Sequence, residues 1–237
     1  MITLVLATRN AHKVAEIGAI LGQAYTYLSL KDFPNAPEVI EDARTFAGNA
    51  IKKAIALAKW MVETSNSQPA TRHKQDFYVL ADDSGLEVDA LHGAPGVLSA
   101  RFAALDTGQS GNSSDAQNRE KLLRLLKDVP AGRRAARFRC VLALTPVSEL
   151  QKQSSSPVCY ADESELGTEL FAGVCEGQIG FAPRGQGGFG YDPLFLPDGY
   201  EQTFAELGEE IKNEMSHRAQ ALAKLKQRFV RSLTHLT

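Results

Sequence analysis

Short apolar runs alternate with stretches of helical periodicity in this chain, and that alternation is typical of α/β proteins. The first run, residues 2–7, is rich in β-branched side chains, as expected of a buried strand. After a polar turn, apolar residues keep helical spacing up to Gly22, with Asn10 as the expected N-cap. We therefore expect an α/β fold built on a mixed sheet.

The remaining elements follow the same pattern. Helices are predicted at residues 45–61, from Asp115 and from near Ser216, and strands at 78–81, 138–144, 158–160, 171–179 and 194–196. Residues 203–206 match a capping box. Polar residues at 63–75 and 147–157 predict surface loops, and neither is long enough to separate independent domains. Residues 1–237 are thus expected to form one domain, which can consist of two lobes.

Composition excludes several classes of protein. The 26 basic and 28 acidic side chains leave a net charge of −2, which disfavours binding to nucleic acid through bulk charge. The net charge does not exclude a local basic cleft. No apolar run approaches the ~18 residues of a membrane span. The amino-terminal residues lack the cationic region of a signal peptide. The three cysteines contain no C-x-x-C pair, so we expect reduced thiols in a cytosolic protein.

Residues 8–13, Thr-Arg-Asn-Ala-His-Lys, join the first strand to the first helix. A helix N-terminus offers free N–H groups and a positive dipole end, and Lys13 adds a full charge. This pattern favours an anion site. The alternative is a capped turn with a solvated lysine. The glycines and the Lys-Ser/Thr pair of a Walker P-loop are missing.

Residues 82–85, Asp-Asp-Ser-Gly, follow a predicted strand at the edge where open α/β sheets bind ligands. Adjacent carboxylates there are costly unless they are solvated, paired or bound to a cation. Oxygen ligands of this kind suit Mg²⁺, with waters and substrate phosphates completing its shell. The alternative is an Asx turn that ends the strand.

Residues 185–193 form a glycine-rich segment that formally matches G-x-G-x-x-G. A dinucleotide site requires the segment to open a helix, and Pro193 and Pro197 exclude one here. The remaining interpretation is a loop that presents Phe189 and Tyr191 for stacking on a base, with Asp192 as a hydrogen-bond acceptor. A glycine-rich hairpin with buried aromatic rings is the alternative.

Further charged residues lie near two predicted helix starts. Lys212 precedes Ser216, an N-cap candidate that places His217 and Arg218 in the first turn of the last helix, where cations oppose the dipole. A nearby anion or keto group explains that placement, but surface helix starts also tolerate such residues. Glu41 precedes the second helix and has a metal role only if its loop folds toward Asp83.

Together these segments predict a binding site for a nucleoside triphosphate, with lysines for phosphates, carboxylates for magnesium and an aromatic loop for a base. They also resemble the noncanonical purine NTP pyrophosphatases, the inosine/xanthosine triphosphate pyrophosphatase family. The resemblance is carried by Glu41, Lys212 and residues 8–13, 45–54, 81–86, 93–96, 99–101, 188–193 and 216–218, in family order along nearly the whole chain. Gly48 departs from the Glu that many members carry, and the loops near 63–77 and 147–170 look longer than usual.

The resemblance implies two α/β lobes around a long mixed central sheet flanked by helices, with a central cleft. It also implies magnesium dependence, a homodimer and a cytoplasmic enzyme of nucleotide metabolism. Asp83 would accept the proton of the attacking water. The triphosphate would be held by Thr8, Arg9, Asn10, Ala11, His12, Lys13 and Lys53. The metal would be served by Glu41, Asp83 and, as a supporting carboxylate, Asp82. The rest of the substrate would contact Ser84, Phe189, Gly190, Tyr191, Asp192, Lys212, His217 and Arg218.

The implied reaction is hydrolysis of ITP, dITP or XTP to the monophosphate and pyrophosphate. Three alternatives are weighed against it: a Maf-type pyrophosphatase for modified pyrimidine or methylated nucleotides, a nucleotide sensor without turnover, and a nucleic-acid-binding module. We expect a nucleotide substrate and a second copy of the chain as partners, and neither nucleic acid nor a membrane.

Overall fold

The structure is a computed structural model that describes residues 2–65, 77–108, 110–147 and 167–234. Its six strands are β1 (Ile2–Leu6), β2 (Tyr25–Ser29), β3 (Phe77–Val88), β4 (Ala135–Pro146), β5 (Glu169–Ile179) and β6 (Phe195–Pro197). Its α-helices are α1 (Ala11–Leu21), α2 (Phe46–Ser65), α3 (Ala104–Thr107), α4 (Asp115–Leu125), α5 (Phe204–Met215) and α6 (His217–Thr234). The predicted strand at 158–160, most of both polar loops and Cys159 lie outside the described residues.

The strands form one mixed sheet in the order β2-β1-β3-β4-β5-β6. Strand β1 runs parallel to β2 and β3, whereas β5 and β6 are antiparallel. The expected α/β class and mixed central sheet are therefore confirmed. Of the described helices, none combines the length and apolar character needed to cross a membrane.

Strand β3 is longer than predicted. It continues through Asp82, Asp83 and Ser84 to Val88, so the prediction that the strand ends at the two aspartates is wrong, as is the Asx-turn alternative. Leu86 and Val88 are fully buried, and the burial of these side chains keeps the backbone extended beyond the polar residues. Both aspartates thus lie in the middle of a strand, not in a loop at its end.

The chain divides into two compact units with separate apolar clusters. The first comprises the described residues within Met1–Asp83, Val141–Phe171 and Leu225–Thr237, and the second those within Ser84–Cys140 and Ala172–Lys224. In the first, α2 packs its alanines and Leu57 against Val5 and Val79 of the sheet. In the second, Leu122 of α4 belongs to the cluster that also holds Phe138, Phe195 and Phe204. Each unit thus has a core on which functional side chains can be held in place.

Candidate functional site

The turn before α1 is capped as predicted. The Asn10 side chain accepts hydrogen bonds from the backbone N–H groups of His12 at 2.9 Å and Lys13 at 3.3 Å. Thr8 Oγ1 in turn accepts from the Asn10 N–H at 3.1 Å. Arg9, Asn10, Ala11 and His12 are exposed, so most of this segment faces solvent.

The side chain of Lys13 does not extend into solvent. Its ammonium group forms an ion pair with the Asp82 carboxylate, and it lies 3.4 Å from the Asp82 carbonyl oxygen. The side chains are 17% and 1% exposed, so the pair is largely withdrawn from water. The solvated-lysine alternative is therefore wrong, and Lys13 links the start of α1 to the middle of β3.

Asp83 is held by two residues of α2. Lys53 Nζ lies 3.0 Å from Asp83 Oδ1, and Asn49 Nδ2 donates to Asp83 Oδ2 at 3.3 Å. Residues four apart on a helix share one face, which explains how α2 presents both groups to the same carboxylate. Asn49 is fully buried and was not among the predicted site residues. Its spacing from Lys53 was the signal that could have identified it.

Lys53 also connects Asp83 to Glu41. Its ammonium group lies 3.3 Å from Glu41 Oε1 and 2.9 Å from the Asp82 carbonyl oxygen. The segment that carries Glu41 is fixed in part by Asn49, whose Oδ1 accepts from the Ala43 N–H at 2.9 Å. The loop of Glu41 therefore folds toward Asp83, as a role of Glu41 in metal binding would require.

Gly48 allows the close approach of this loop to α2. A Cβ atom at this position would lie 2.8 Å from the Ala43 Cβ and 3.1 Å from Thr45 Oγ1. A glutamate here would have to displace the segment next to Glu41. This chain therefore packs that segment in a way that the larger side chain would not permit without a shift.

Burial raises the pKa of Asp83 to about 6, against the opposing attraction of the Lys53 ammonium group. The Glu41 carboxylate adds to the increase, and Lys13 opposes it. Burial alone would lower the pKa of Lys53, but the carboxylates of Asp83 and Glu41 outweigh it and raise this pKa above its usual value. A buried carboxylate with a raised pKa beside two ammonium groups has the properties of a general base in a phosphate site.

The expected metal ligands are only partly assembled. Across the described part of the chain, no group of three His, Cys, Asp or Glu side chains is arranged to hold a metal ion. Glu41 and Asp83 share Lys53, whereas the Asp82 carboxylate is paired with Lys13. Two carboxylates fit a hard cation that takes further oxygen ligands from waters and a substrate. The Asp82 carboxylate thus pairs with Lys13 and is not grouped with the carboxylates of Glu41 and Asp83.

The second unit holds the glycine-rich segment, which is a loop followed by β6, as predicted. Asp192 organises it: its Oδ2 accepts from the Phe189 N–H at 3.0 Å and from Lys212 Nζ at 2.6 Å. The side chains of Asp192 and Lys212 are 3% and 4% exposed, so this is a buried ion pair. Gly188 has a φ of +72°, and a Cβ atom there would lie 2.2 Å from Asp192 Oδ2. Only glycine fits beside this carboxylate without displacing it.

The two aromatic rings of the loop differ in position. Phe189 is half-buried, and its ring centroid lies 4.6 Å from Lys212 Nζ and 5.9 Å from the Arg218 guanidinium carbon. Tyr191 is 4% exposed, belongs to the apolar core and donates its hydroxyl hydrogen to the Ser99 carbonyl at 2.9 Å. The expectation that the loop presents both rings is therefore wrong for Tyr191, whose ring the core holds.

The start of α6 is buried, which excludes the alternative of a surface helix start. Ser216 Oγ accepts from the Ala219 N–H at 3.2 Å, as an N-cap does. The His217 ring stacks on Phe138 with centroids 4.8 Å apart and an interplanar angle of 13°. Arg218 is 1% exposed and donates to Ser84 Oγ at 3.2 Å.

The predicted residues therefore form two clusters, one in each unit. The first contains Lys13, Glu41, Lys53, Asp82 and Asp83, and the structure adds Asn49. The second contains Ser84, Phe189, Asp192, Lys212 and Arg218, near which lie the buried rings of Tyr191 and His217. Asp83 and Ser84 are consecutive residues of β3, and the boundary between the two units falls between them.

A family model for the Ham1 family matches residues 4–228 of this sequence. A dITP/XTP pyrophosphatase of Desulforamulus reducens is 45% identical over 233 residues, which cover 98% of each chain. One of Geobacter sulfurreducens is 46% identical over 227 residues, covering 95% of this chain and 96% of the relative.

Solved structures agree with the sequence comparisons. A HAM1 protein of Coxiella burnetii superposes with a TM-score of 0.74 at 34% identity, covering 98% of this chain and 100% of the other. A nucleoside-triphosphatase / dITP/XTP pyrophosphatase of Mycobacterium abscessus superposes with a TM-score of 0.63 at 36% identity, covering 94% and 98%. Both likenesses extend over nearly the whole chain.

Proposed function

Because this chain belongs to the Ham1 family, we propose that it hydrolyses noncanonical purine nucleoside triphosphates to the monophosphate and pyrophosphate. The substrates are dITP, ITP and XTP. The observation that carries the proposal is the buried Asp83 carboxylate with Lys53 at 3.0 Å and a pKa raised to about 6. The reaction converts noncanonical nucleoside triphosphates into monophosphates and so removes these triphosphates from the nucleotide pool.

The first cluster supplies the chemistry of phosphoanhydride cleavage. Water must attack the α-phosphorus while pyrophosphate leaves, and the negative phosphoryl oxygens repel any nucleophile. The ammonium groups of Lys13 and Lys53 reduce that repulsion, and the N-terminus of α1, which lies within residues 8–13, adds its dipole. Asp83 is ionised at neutral pH, and its pKa of about 6 makes it a stronger base than an ordinary aspartate, so it accepts the proton of the water.

We propose Mg²⁺ as the cofactor. Glu41 and Asp83 would hold it, and Asp82 would support the site through its pair with Lys13. When bound, the ion supplies positive charge to the phosphoryl oxygens. Lys53 Nζ lies 3.3 Å from Glu41 Oε1 and 3.0 Å from Asp83 Oδ1, so its ammonium group would compete with the ion for these carboxylates.

The second cluster supplies recognition of the base. The half-exposed Phe189 ring offers a stacking surface, while Tyr191 and Asp192 hold the loop that carries it. Arg218 and Lys212 donate hydrogen bonds to the 6-keto oxygen of ITP and XTP. ATP has an amino group there, so donor would face donor, and an unpaired buried polar group costs roughly 1–3 kcal/mol.

Ser84 and His217 complete the proposed substrate contacts, and Gly190 keeps the loop backbone close to the base. GTP shares the 6-keto group, so its exclusion requires discrimination at the 2-position. A cytoplasmic location and a homodimer are proposed on the family resemblance alone, as is a single catalytic domain over residues 1–237.

The test is to incubate purified protein and Mg²⁺ with ITP, dITP, XTP, GTP and ATP and to measure monophosphate, pyrophosphate and orthophosphate separately. We expect equal amounts of monophosphate and pyrophosphate from the first three nucleotides. Orthophosphate as the direct product would refute the proposed bond cleavage. Preference for methylated or modified pyrimidine nucleotides would favour a Maf-type activity, and binding without product would favour a sensor.

A further inference from the structure

Helix α4 holds the aromatic loop through two charged residues, Asp115 and Arg119, to which neither the sequence motifs nor the proposed chemistry gives a role. Asp115 Oδ2 accepts from the Gly190 N–H at 2.6 Å, and Arg119 donates to the Gly190 carbonyl oxygen at 2.7 Å. Both backbone groups of the residue next to Phe189 are therefore bound by charged side chains. Asp115 and Arg119 lie four residues apart, on one face of the helix.

The start of α4 is itself firmly placed. Ser114 and Gln117 form a capping box at its first turn. Asn118 is 3% exposed, and its side chain accepts from the Ala103 N–H at 2.9 Å and donates to the Ala100 carbonyl at 3.2 Å. These bonds fix the helix to the segment that follows Ser99, so Asp115 and Arg119 project from a rigid support.

The same segment anchors the next residue of the loop. Ser99 accepts the Tyr191 hydroxyl through its carbonyl oxygen, and its Oγ accepts from the Leu86 N–H of β3 at 2.9 Å. Successive loop residues are thus held by Asp192 at the Phe189 N–H, by α4 at Gly190 and by Ser99 at Tyr191. Ser99 and Ala100 of the motif at residues 99–101 therefore contribute to the support of the loop.

We propose that Asp115 and Arg119 are positioning residues that hold the Phe189 ring in the orientation required for stacking on the base. The proposal rests on the proposed function, because it assigns the stacking to Phe189. Hydrogen bonds with a charged partner are roughly twice as strong as neutral ones, so this pair restrains the loop more than backbone contacts alone would. Pre-ordering the loop spares the nucleotide the entropic cost of ordering it on binding.

The test compares a ligand that has a base with one that has none. Inhibition constants of inosine monophosphate and inorganic tripolyphosphate are measured against ITP hydrolysis for the wild type, Asp115→Ala and Arg119→Ala. We expect each variant to weaken inosine monophosphate by about tenfold, the effect of losing one charge-assisted hydrogen bond, and to leave tripolyphosphate unchanged. The KM for ITP should rise with little change in kcat.

Two further variants separate positioning from a general loss of structure. Asp115→Asn keeps an acceptor oxygen and should restore most of the affinity for inosine monophosphate. Arg124→Ala removes an arginine of the same helix that pairs with Asp106, and it should change neither inhibition constant. Equal weakening of both inhibitors, or no weakening of either, would overturn the proposal. Failure of the wild-type protein to release pyrophosphate from ITP would instead refute the proposed function.

Discussion

Lys53 Nζ and the Asp83 carboxylate lie 3.0 Å apart with side chains only 12% and 8% exposed. Removing two charges from water costs several kcal/mol per ion, and replacing a buried ion pair by apolar side chains of similar volume is often neutral or stabilising. The proposed binding of phosphates and a cation at this site would account for the pair beside Lys13 and Glu41. The chemistry assigned to Asp83 follows from that environment.

Replacing Asp83 by Asn should abolish most turnover while leaving the fold intact. The amide cannot accept the proton of the attacking water, and loss of general-base catalysis typically lowers the rate by about 10²–10⁴-fold. The measurement is kcat for pyrophosphate release from ITP, with thermal unfolding as the check on folding. Asp42→Asn, which alters an exposed carboxylate paired with Lys52, should retain normal turnover. Near-normal turnover in Asp83→Asn would remove Asp83 from the mechanism.

Asp83 should titrate near pH 6 in the metal-free protein, because burial raises its pKa to about 6; carboxyl carbon NMR over a pH series measures this titration. The folded-state pKa lies above the ordinary value near 3.8, so the folded protein binds the proton more tightly than the unfolded chain does. Asp83 therefore lowers the free energy of unfolding as the pH rises from about 4 to about 6, and protonation below that range relieves the effect.

Lys53→Met should raise the pKa of Asp83 further, because the carboxylate stays buried while the opposing ammonium group is lost. Lys52→Met is the matched control, since Lys52 is the next residue of α2 but pairs with the exposed Asp42. A titration of Asp83 that is unchanged in Lys53→Met would contradict the assigned cause of the shift.

Asn49→Ala should destabilise the protein by about 1–3 kcal/mol, because Asn49 is fully buried and both ends of its side chain are hydrogen-bonded. It should also lower turnover, since the Asp83 carboxylate loses its hydrogen bond from Asn49 Nδ2. Urea unfolding gives the first quantity and ITP hydrolysis the second. Asn112→Ala, in an exposed segment, should leave both close to wild type. Unaltered stability in Asn49→Ala would show that its contacts are not maintained in solution.

Gly188→Ala should raise the KM for ITP, because its Cβ would lie 2.2 Å from Asp192 Oδ2 and disturb the ion pair with Lys212. Gly199→Ala provides the control: its φ is +86°, but nothing lies within 4 Å of the added Cβ. Both variants share the backbone strain of about 1–2 kcal/mol. Only Gly188→Ala should weaken nucleotide binding, and equal KM values would contradict the role of this contact.

Local signals along the chain were sufficient for several elements. Asn10 caps α1, Thr203 and Glu206 form the capping box of α5, and Ser216 caps α6, all within four residues of the groups they bind. Pro193 correctly excluded a helix after the glycine loop. Such short-range hydrogen bonds and backbone restrictions are encoded in consecutive residues, which is why periodicity and capping residues predicted these elements.

The continuation of β3 through Asp82 and Asp83 could not be predicted in that way. Two adjacent carboxylates signal a turn unless distant lysines neutralise them. Those lysines lie 69 residues from Asp82 and 30 residues from Asp83 along the chain. Equally, nothing local distinguishes Tyr191 from Phe189, since a carbonyl 92 residues from Tyr191 binds its hydroxyl group in the core. The candidate residue types and the helix starts could thus be predicted from the sequence alone. The burial of these side chains and their interaction partners depended on long-range packing, because a charged group or an aromatic ring acquires its environment only when remote segments pack together.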